Sequence, residues 1–187
     1  MRIISGSLKG KKILLPKNNE TRPLKDLAKE SIFNVINHSN KFNLNINKAN
    51  VLDIFSGVGS FGLECLSRGA DQVVFVENYS EALTILKKNL TNLISKNNYR
   101  IIEQDAYDDG SLAQLNYKFN IIFLDPPFKD KNIEKILLNI KKNKLLSENG
   151  IIIHRHKNSK DNLPSDFSIV EQKKYGISKI FFLSYLS

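Results

Sequence analysis

An apolar segment that ends in Asp-Pro-Pro-Phe carries the residues best suited to chemistry. The preceding letters, FNIIFL, are rich in Ile and Phe and predict a buried strand. Pro126 and Pro127 cannot donate hydrogen bonds to a sheet, so pairing should stop at Asp125, and the fixed proline φ angles stiffen the turn. Asp125 would present its carboxylate beyond the strand, followed by an exposed Phe128. An ordinary strand-ending turn is the alternative reading of these four residues.

A second stretch, VLDIFSGVGSFG, has the spacing G-x-G-x-x-G between a predicted strand and a predicted helix, and Glu77 ends the next strand about twenty residues on. By itself this pattern favours a dinucleotide such as NAD. However, Ser56 separates the strand from the first glycine, and Asp53 lies where it would repel a pyrophosphate. A ligand with an adenosine ribose, a cationic tail and no phosphate, such as S-adenosylmethionine, fits better. The alternative for Asp53 is a carboxylate that caps the strand end.

The elements that position these residues follow a regular alternation. Strand-like runs alternate with helical patterns from residue 51, which predicts βαβ units and a parallel sheet with helices on both faces. After residue 160, two strand patterns follow one another without a helix, which predicts a terminal hairpin with an antiparallel last strand. The prediction is a seven-stranded, mostly parallel α/β sheet of the Rossmann-like type. The strand patterns are VLDIF, QVVFVE, RIIEQ, FNIIFLD, GIIIHR, FSIVEQKKYG and SKIFFLSYL.

Acidic residues follow the ends of four successive predicted strands. Ligands of open α/β sheets bind outside the carboxyl ends of the strands, so all four acids should face one crevice. Clustered like charges are unfavourable unless a ligand separates or neutralises them. The pattern therefore predicts a binding site lined by Asp53, Glu77, Asp105 and Asp125.

The positive charge is concentrated near the N-terminus. The chain has a net charge of +9, and residues 1–30 contain eight Lys and Arg against three acids. RIISG and KKILLP predict a basic hairpin over residues 1–20, next to a main domain over residues 21–187. Part of the excess could follow from a Lys- and Asn-rich composition, but drift alone does not predict its concentration in one arm. We expect the arm to lie beside the crevice and to bind a polyanion such as RNA.

Several classes of protein are not favoured by the sequence. No apolar run approaches the ~20 residues that span a bilayer, and the N-terminus is too mixed for a signal peptide. Cys65 is the only cysteine, so neither a disulfide framework nor a cysteine metal cluster is expected. His154 and His156 lie on one side of a strand without an evident third ligand, so we expect no metal. A cytoplasmic monomer without a membrane partner is the prediction.

These residues together resemble class I S-adenosylmethionine-dependent methyltransferases, in which the DPPF turn serves amino-group methylation. RIISG, TRPLKDLAKESIFNVI, VLDIFSGVGSFGLECLSRGA, VVFVEN, IIFLDPPF and YGISKIFFL look in order like the RsmD family of ribosomal RNA guanine-N2 methyltransferases, over nearly the whole chain. Two positions depart from the family. Lys29 stands where arginine is usual, and Phe128 stands where tyrosine is usual.

The resemblance implies methylation of the exocyclic N2 amine of a guanine in 16S (small-subunit) ribosomal RNA, within a partly assembled small subunit. Asp125 and the Pro126 carbonyl would accept the amine hydrogens, Pro127 would stiffen the turn, and Phe128 would stack on the base. Asp53 would meet the methionine amine, Glu77 the ribose and Asp105 the adenine amine. Arg22 would meet a substrate phosphate or the cofactor carboxylate, with a plain surface arginine as the alternative, and the charge of the arm predicts RNA contacts for Lys9, Lys11 and Lys12. The remaining implied cofactor contacts are Phe55, Ser56, Gly57, Gly59, Asn78 and Ala106.

Three other functions stay open at this point. A DNA methyltransferase acting on adenine N6 or cytosine N4 could use the same turn, although the chain lacks a second sizeable domain for reading duplex DNA. An NAD-dependent oxidoreductase would use the glycine loop and give the DPPF turn no role. A non-catalytic RNA-binding module would bind without turnover.

Overall fold

A computed structural model describes residues 1–16, 24, 26–127, 130, 132–156, 163–175 and 178–186. The five helices of this part are α1 (Asp26–His38), α2 (Ser60–Ser67), α3 (Ser80–Leu93), α4 (Asp109–Ala113) and α5 (Ile133–Lys142). Its seven strands are β1 (Asn50–Ile54), β2 (Gln72–Val76), β3 (Tyr99–Ile102), β4 (Phe119–Leu124), β5 (Leu146–His156), β6 (Phe167–Tyr175) and β7 (Ser178–Tyr185).

All seven strands belong to one sheet, in the order β3-β2-β1-β4-β5-β7-β6. β7 pairs antiparallel with β5 and β6, and the pairs from β3 through β5 are parallel. The predicted seven-stranded sheet, mostly parallel with an antiparallel C-terminal strand, is confirmed. The strand order reverses between β1 and β4, so the ligand crevice of such a sheet lies at their carboxyl ends.

Two layers of helix cover the sheet because its strands are apolar on both faces. Successive side chains of a strand point to opposite faces, and both faces are buried in hydrophobic clusters. One cluster joins Val51, Phe75 and Phe123 to α1, α2 and α3. The other joins Leu52, Val74 and the rest of that face to α4 and α5. In the described residues, none of the helices has the length and apolarity to cross a bilayer.

The N-terminal arm, residues 1–16, forms a small antiparallel hairpin, as the sequence predicts: the Ile3 amide donates to the Lys11 carbonyl at 2.9 Å and the Ile13 amide to the Met1 carbonyl at 3.0 Å. Its antiparallel pairing is a single bridge between Arg2 and Lys12. The ladder does not extend because the next amides bond elsewhere: the amides of Ile4 and Ser5 donate to the Glu64 carboxylate at 2.8 and 2.9 Å. The arm is thereby fastened to α2.

The helix predicted from Thr21 onward begins in the structure at Asp26. Thr21, Arg22 and Pro23 lie outside the described residues. Phe33 of α1 stacks on Phe61 of α2, with ring centroids 5.4 Å apart. Through this contact α1 packs on the same face of the sheet as the arm.

Candidate active site

The carboxyl ends of β1 and β4 lie side by side and form the centre of the crevice. Leu124, the last residue of β4, pairs with Ile54, the last residue of β1. Asp125 follows at once, and its amide lies 3.5 Å from the Ile54 carbonyl oxygen. The structure therefore brings the Asp125 turn next to the glycine loop, as the sequence predicts.

The glycine loop between β1 and α2 has an unusual backbone. Phe55, Gly57 and Gly59 have φ angles of 61, 55 and 84°, and such left-handed conformations favour glycine. A Cβ on Gly57 would meet no atom within 4 Å, whereas one on Gly59 would lie 2.5 Å from Leu86. Gly59 thus permits close packing, and Gly57 faces the open space in which a ligand can approach the backbone.

Glu77 follows β2, and its carboxylate closes onto the glycine loop. One carboxylate oxygen accepts a hydrogen bond from the Gly57 amide at 2.7 Å. The other accepts bonds from the amides of Asn78 and Tyr79 at 3.0 and 2.9 Å. These bonds hold an acidic side chain at the loop, where the sequence predicts a contact with ribose.

Asp53 is buried near the end of β1 and binds the first turn of α2. Its Oδ2 accepts a hydrogen bond from the Gly62 amide at 3.0 Å. Burial raises the pKa of this carboxyl well above its usual range, the Gly62 bond opposes the rise, and the charges of Asp125 and Glu77 add to it. One oxygen of Asp53 therefore has a structural role, and its predicted contact with a methionine amine stays a prediction.

The carboxylates of Glu77 and Asp53 indicate which kind of cofactor fits the site. A pyrophosphate binds glycine-loop amides and the N-terminus of the following helix. Here Glu77 occupies the Gly57 amide and Asp53 occupies the Gly62 amide. A phosphate at this place would have to displace or face two acids, so the residues present fit a cofactor without phosphate.

The turn after β3 carries Asp105 and Ala106. Asp105 Oδ1 accepts a hydrogen bond from the Tyr107 amide at 2.9 Å, and Ala106 is buried. The Tyr107 hydroxyl donates to Asp130 at 2.6 Å, and its ring lies 5.7 Å from that of Phe55. Burial and the bond to Asp130 raise the pKa of the Tyr107 phenol.

Tyr107 therefore ties the turn after β3 to the segment that follows the two prolines. Sequence reasoning missed this contact. It joins two loops that are far apart in the chain, and neither loop shows a pattern that would have indicated it.

Asp125 has a partner that sequence reasoning also missed. Arg155 of β5 donates from Nη1 to Asp125 Oδ2 at 2.8 Å, and the two side chains are only 9% and 17% exposed. Burial raises the pKa of Asp125 to about 6, although the charges of Arg155 and His154 oppose the rise. The signal that could have identified Arg155 is a cation in a predicted strand, shortly after the apolar run of Ile151, Ile152 and Ile153.

The two prolines differ in their surroundings. Pro126 is buried and Pro127 is exposed. The Pro127 carbonyl accepts a hydrogen bond from the Asp130 amide at 2.8 Å, so it is engaged within the turn. The Pro126 carbonyl is the better candidate acceptor for a substrate, and Phe128 lies outside the described residues.

The basic side chains of the arm are exposed, and the tip of the arm lies at the far end of α2. Lys9, Lys11 and Lys12 are exposed, and the tip of the arm contacts the last residue of α2, where the Ser7 amide donates to the Ser67 carbonyl at 2.8 Å. The glycine loop precedes the first residue of α2, so about 10 Å of helix separates it from the tip. Ser67 thus holds the tip at the far end of α2, and the expected position of the basic arm beside the crevice stays a prediction.

The end of the arm does reach the glycine loop. Asn89 of α3 accepts from the Leu14 amide at 2.8 Å and donates to the Val58 carbonyl at 3.1 Å. The arm is thus linked to the glycine loop through Leu14, two residues after Lys12. Arg22 lies outside the described residues.

The remaining predictions concern Cys65 and the two histidines of β5. Cys65, the single cysteine, is fully buried in the core. The rings of His154 and His156 lie 5.6 Å apart. In the part of the chain that the structure describes, no group of three His, Cys, Asp or Glu side chains could hold a metal ion.

Comparison with known proteins agrees with the fold. A family model described as Conserved hypothetical protein 95 matches residues 1–184. The chain is 32% identical to Ribosomal RNA small subunit methyltransferase D of Haemophilus influenzae, over 95% of this chain and 90% of that protein. It is 31% identical to the protein of that name from Escherichia coli, over 94% of this chain and 85% of that one. The solved structure of yhhF from Escherichia coli, named as a methyltransferase, superposes with a TM-score of 0.84 at 28% identity and covers 100% of this chain and 98% of that one.

Proposed function

Because the chain belongs to the RsmD family of methyltransferases, we propose that it methylates the exocyclic N2 amine of a guanine in small-subunit ribosomal RNA. The names of its relatives support the class of RNA. The observation that carries the proposal is the place of Asp125, largely buried at the switch point between β1 and β4 and next to the glycine loop. A carboxylate there can accept hydrogens from an amine held between the loop and the turn.

The chemistry explains why rigid acceptors are needed. The lone pair of an exocyclic guanine amine is delocalised into the ring, so the amine is a weak nucleophile. Correctly placed acceptors orient it and stabilise the positive charge that develops on it. Asp125 and the Pro126 carbonyl would supply these acceptors, and the proline pair would keep them from relaxing away.

The cofactor that fits the site is S-adenosylmethionine, which supplies a methyl group activated by a sulfonium. Glu77 would bind the ribose hydroxyls from its position on the glycine loop, and Asp105 would accept from the adenine amine. Asp53 would use its second oxygen for the methionine ammonium. The Ser56 hydroxyl, buried and without a hydrogen-bond partner among the described residues, would bind the same ligand. The remaining contacts would come from Phe55, Gly57, Gly59, Asn78 and Ala106.

RNA binding would be divided between the crevice and the arm. Phe128 would stack on a guanine turned out of its helix, while Lys9, Lys11, Lys12 and Arg22 would bind phosphates, which position a nucleic acid without specifying its sequence. The tip of the arm lies about one length of α2 from the glycine loop. We therefore propose that the RNA phosphates bound by the tip lie away from the methylated nucleotide. The chain would act as a monomer on a partly assembled small subunit.

A transfer assay with labelled S-adenosylmethionine tests this proposal. Naked small-subunit RNA, partly assembled subunits and duplex DNA are offered separately, and Asp125→Ala provides the matched inactive protein. The expected result is label on RNA, more of it on the assembling particle, and little with the variant. Label on DNA in preference to either RNA, or tight NADH binding without transfer, would overturn the proposal.

A further inference from the structure

Arg155 is a buried cation that points into the crevice from a strand with no other predicted role. Leu124 of β4 pairs with His154 of β5, and this register sets Arg155 alongside Asp125. The whole Arg155 residue is 8% exposed, and Nη1 lies 2.8 Å from Asp125 Oδ2. A buried ion pair costs desolvation energy that its own attraction often fails to recover, so its place at the reactive turn calls for a function.

We propose that Arg155 is a positioning residue for methyl transfer: it binds one oxygen of Asp125 and so keeps the carboxylate ionised and fixed in orientation. This proposal rests on the function proposed above. An ionised carboxylate accepts hydrogen bonds through both oxygens, whereas a protonated one must donate from one of them. The ionised form can therefore accept a hydrogen bond from the amine at one oxygen while the guanidinium binds the other.

The charges around Asp125 show why it needs such a partner. Burial disfavours its ionised form most strongly, and the opposing charges come from Arg155 and His154, both on β5. Asp53, on β1, interacts unfavourably with the Asp125 charge. Arg155 lowers the pKa of Asp125 more than His154 does. Without it, the remaining surroundings favour the neutral acid.

The expected effect of removing Arg155 on turnover follows from the direction in which the pKa of Asp125 moves. With a pKa of about 6, the carboxylate of Asp125 predominates at pH 7, and turnover should rise as the pH increases through about 6. An opposite charge at this distance lowers a carboxyl pKa by about one to three, so its loss moves the midpoint to between about 7 and 9. Turnover at pH 7 should then fall by about twofold to a hundredfold and recover as the pH is raised further.

The experiment compares Arg155→Met, which removes the charge, with Arg155→Lys, which keeps it. Arg68→Met is the matched control, because Arg68 forms an equally close ion pair, with Glu64 at 2.9 Å, at a distance from the crevice. The first readout is the carboxyl ¹³C titration of Asp125 in aspartate-labelled protein, identified by the signal that Asp125→Asn removes. The second is the pH profile of turnover on small-subunit RNA, with affinity for S-adenosylhomocysteine measured alongside.

The proposal predicts that Arg155→Met raises the titration midpoint and shifts the acid limb of the pH profile by the same amount, with cofactor affinity nearly unchanged. Arg155→Lys should stay near the wild-type midpoint and recover part of the turnover. An unchanged midpoint in Arg155→Met, or an equal shift in Arg68→Met, would overturn the proposal. If Arg155→Met does not fold, a midpoint in Arg155→Lys well above about 7 would overturn it instead. Wild-type protein that shows the titration but methylates no RNA would refute the proposed function and leave the carboxyl measurement to decide the role of Arg155.

Discussion

Replacing Glu64 by Ala tests how the N-terminal arm is fastened to the sheet. The Glu64 side chain is fully buried, and it accepts hydrogen bonds from the amides of Ile4 and Ser5 at 2.8 and 2.9 Å and from Arg68 Nε at 2.9 Å. Lys29, also fully buried, lies 3.8 Å from its second oxygen. Truncation would leave the two amides without their acceptor and Arg68 without this ion pair, and Lys29 would keep Asp26, 3.5 Å away, as its acidic partner.

The loss of stability in Glu64→Ala depends on how the arm can respond to the missing carboxylate. Breaking a buried ion pair by removing one partner costs about 3–5 kcal/mol. The arm could detach to hydrate its amides, but Ile3 and Ile13, which are 0% and 1% exposed, would then lose burial worth about 1.5–3 kcal/mol each. Both routes cost a similar amount. At about 2–4 °C per kcal/mol for a protein of this size, Glu64→Ala should melt about 6–20 °C lower.

Thermal unfolding measures the loss, and hydrogen exchange at the amides of Ile4 and Ser5 shows whether the arm has detached. Glu30→Ala is the control, because Glu30 is exposed on α1, and its effect should stay within about 0.5 kcal/mol. Glu64→Gln keeps one acceptor and should fall between the two. A melting temperature for Glu64→Ala within about 2 °C of the control would refute the assigned role of Glu64.

Three further changes test the cofactor site, the reactive turn and the arm. Glu77→Ala should weaken calorimetric binding of S-adenosylhomocysteine about 10- to 100-fold, as for a lost bond to a charged group; unchanged affinity would exclude Glu77 from the cofactor site. Asp125→Ala should lower turnover by about 10²-fold or more, as for a lost preorganised polar group, with cofactor affinity nearly intact, and near-normal turnover would contradict this role. Replacing Lys9, Lys11 and Lys12 by Ala should reduce the log-log salt slope of RNA binding by about two to three and leave cofactor binding unchanged. Superimposable salt titrations would mean that these lysines do not bind phosphates.

Features that depend on one short segment could be predicted from the sequence. The apolar run before Asp125 and the two prolines after it indicate both the strand and its end, and the alternation of such segments indicates the sheet. How the N-terminal hairpin is fastened to α2 could not be predicted. Its residue types suit strands, but the amides of Ile4 and Ser5 bond to Glu64, sixty and fifty-nine positions away along the chain, and no local pattern reveals that contact.

Arg155 shows the same limit within the site. Its partner depends on the pairing of β5 with β4, which sets residues thirty positions apart side by side. From the sequence alone, His154 and His156 drew attention because their residue types bind metals. The functional interest of this strand lies in the cation between them, and only the register shows that it meets Asp125.

The identity of the methylated nucleoside tests the central claim most directly. Small-subunit RNA methylated by the wild-type chain with isotopically labelled S-adenosylmethionine is digested to nucleosides and separated by mass spectrometry against standards, with Asp125→Ala as the blank. The account predicts that the label appears in N2-methylguanosine and is lost in the variant. Label in N6-methyladenosine, or in a guanosine methylated on a ring nitrogen, would contradict it.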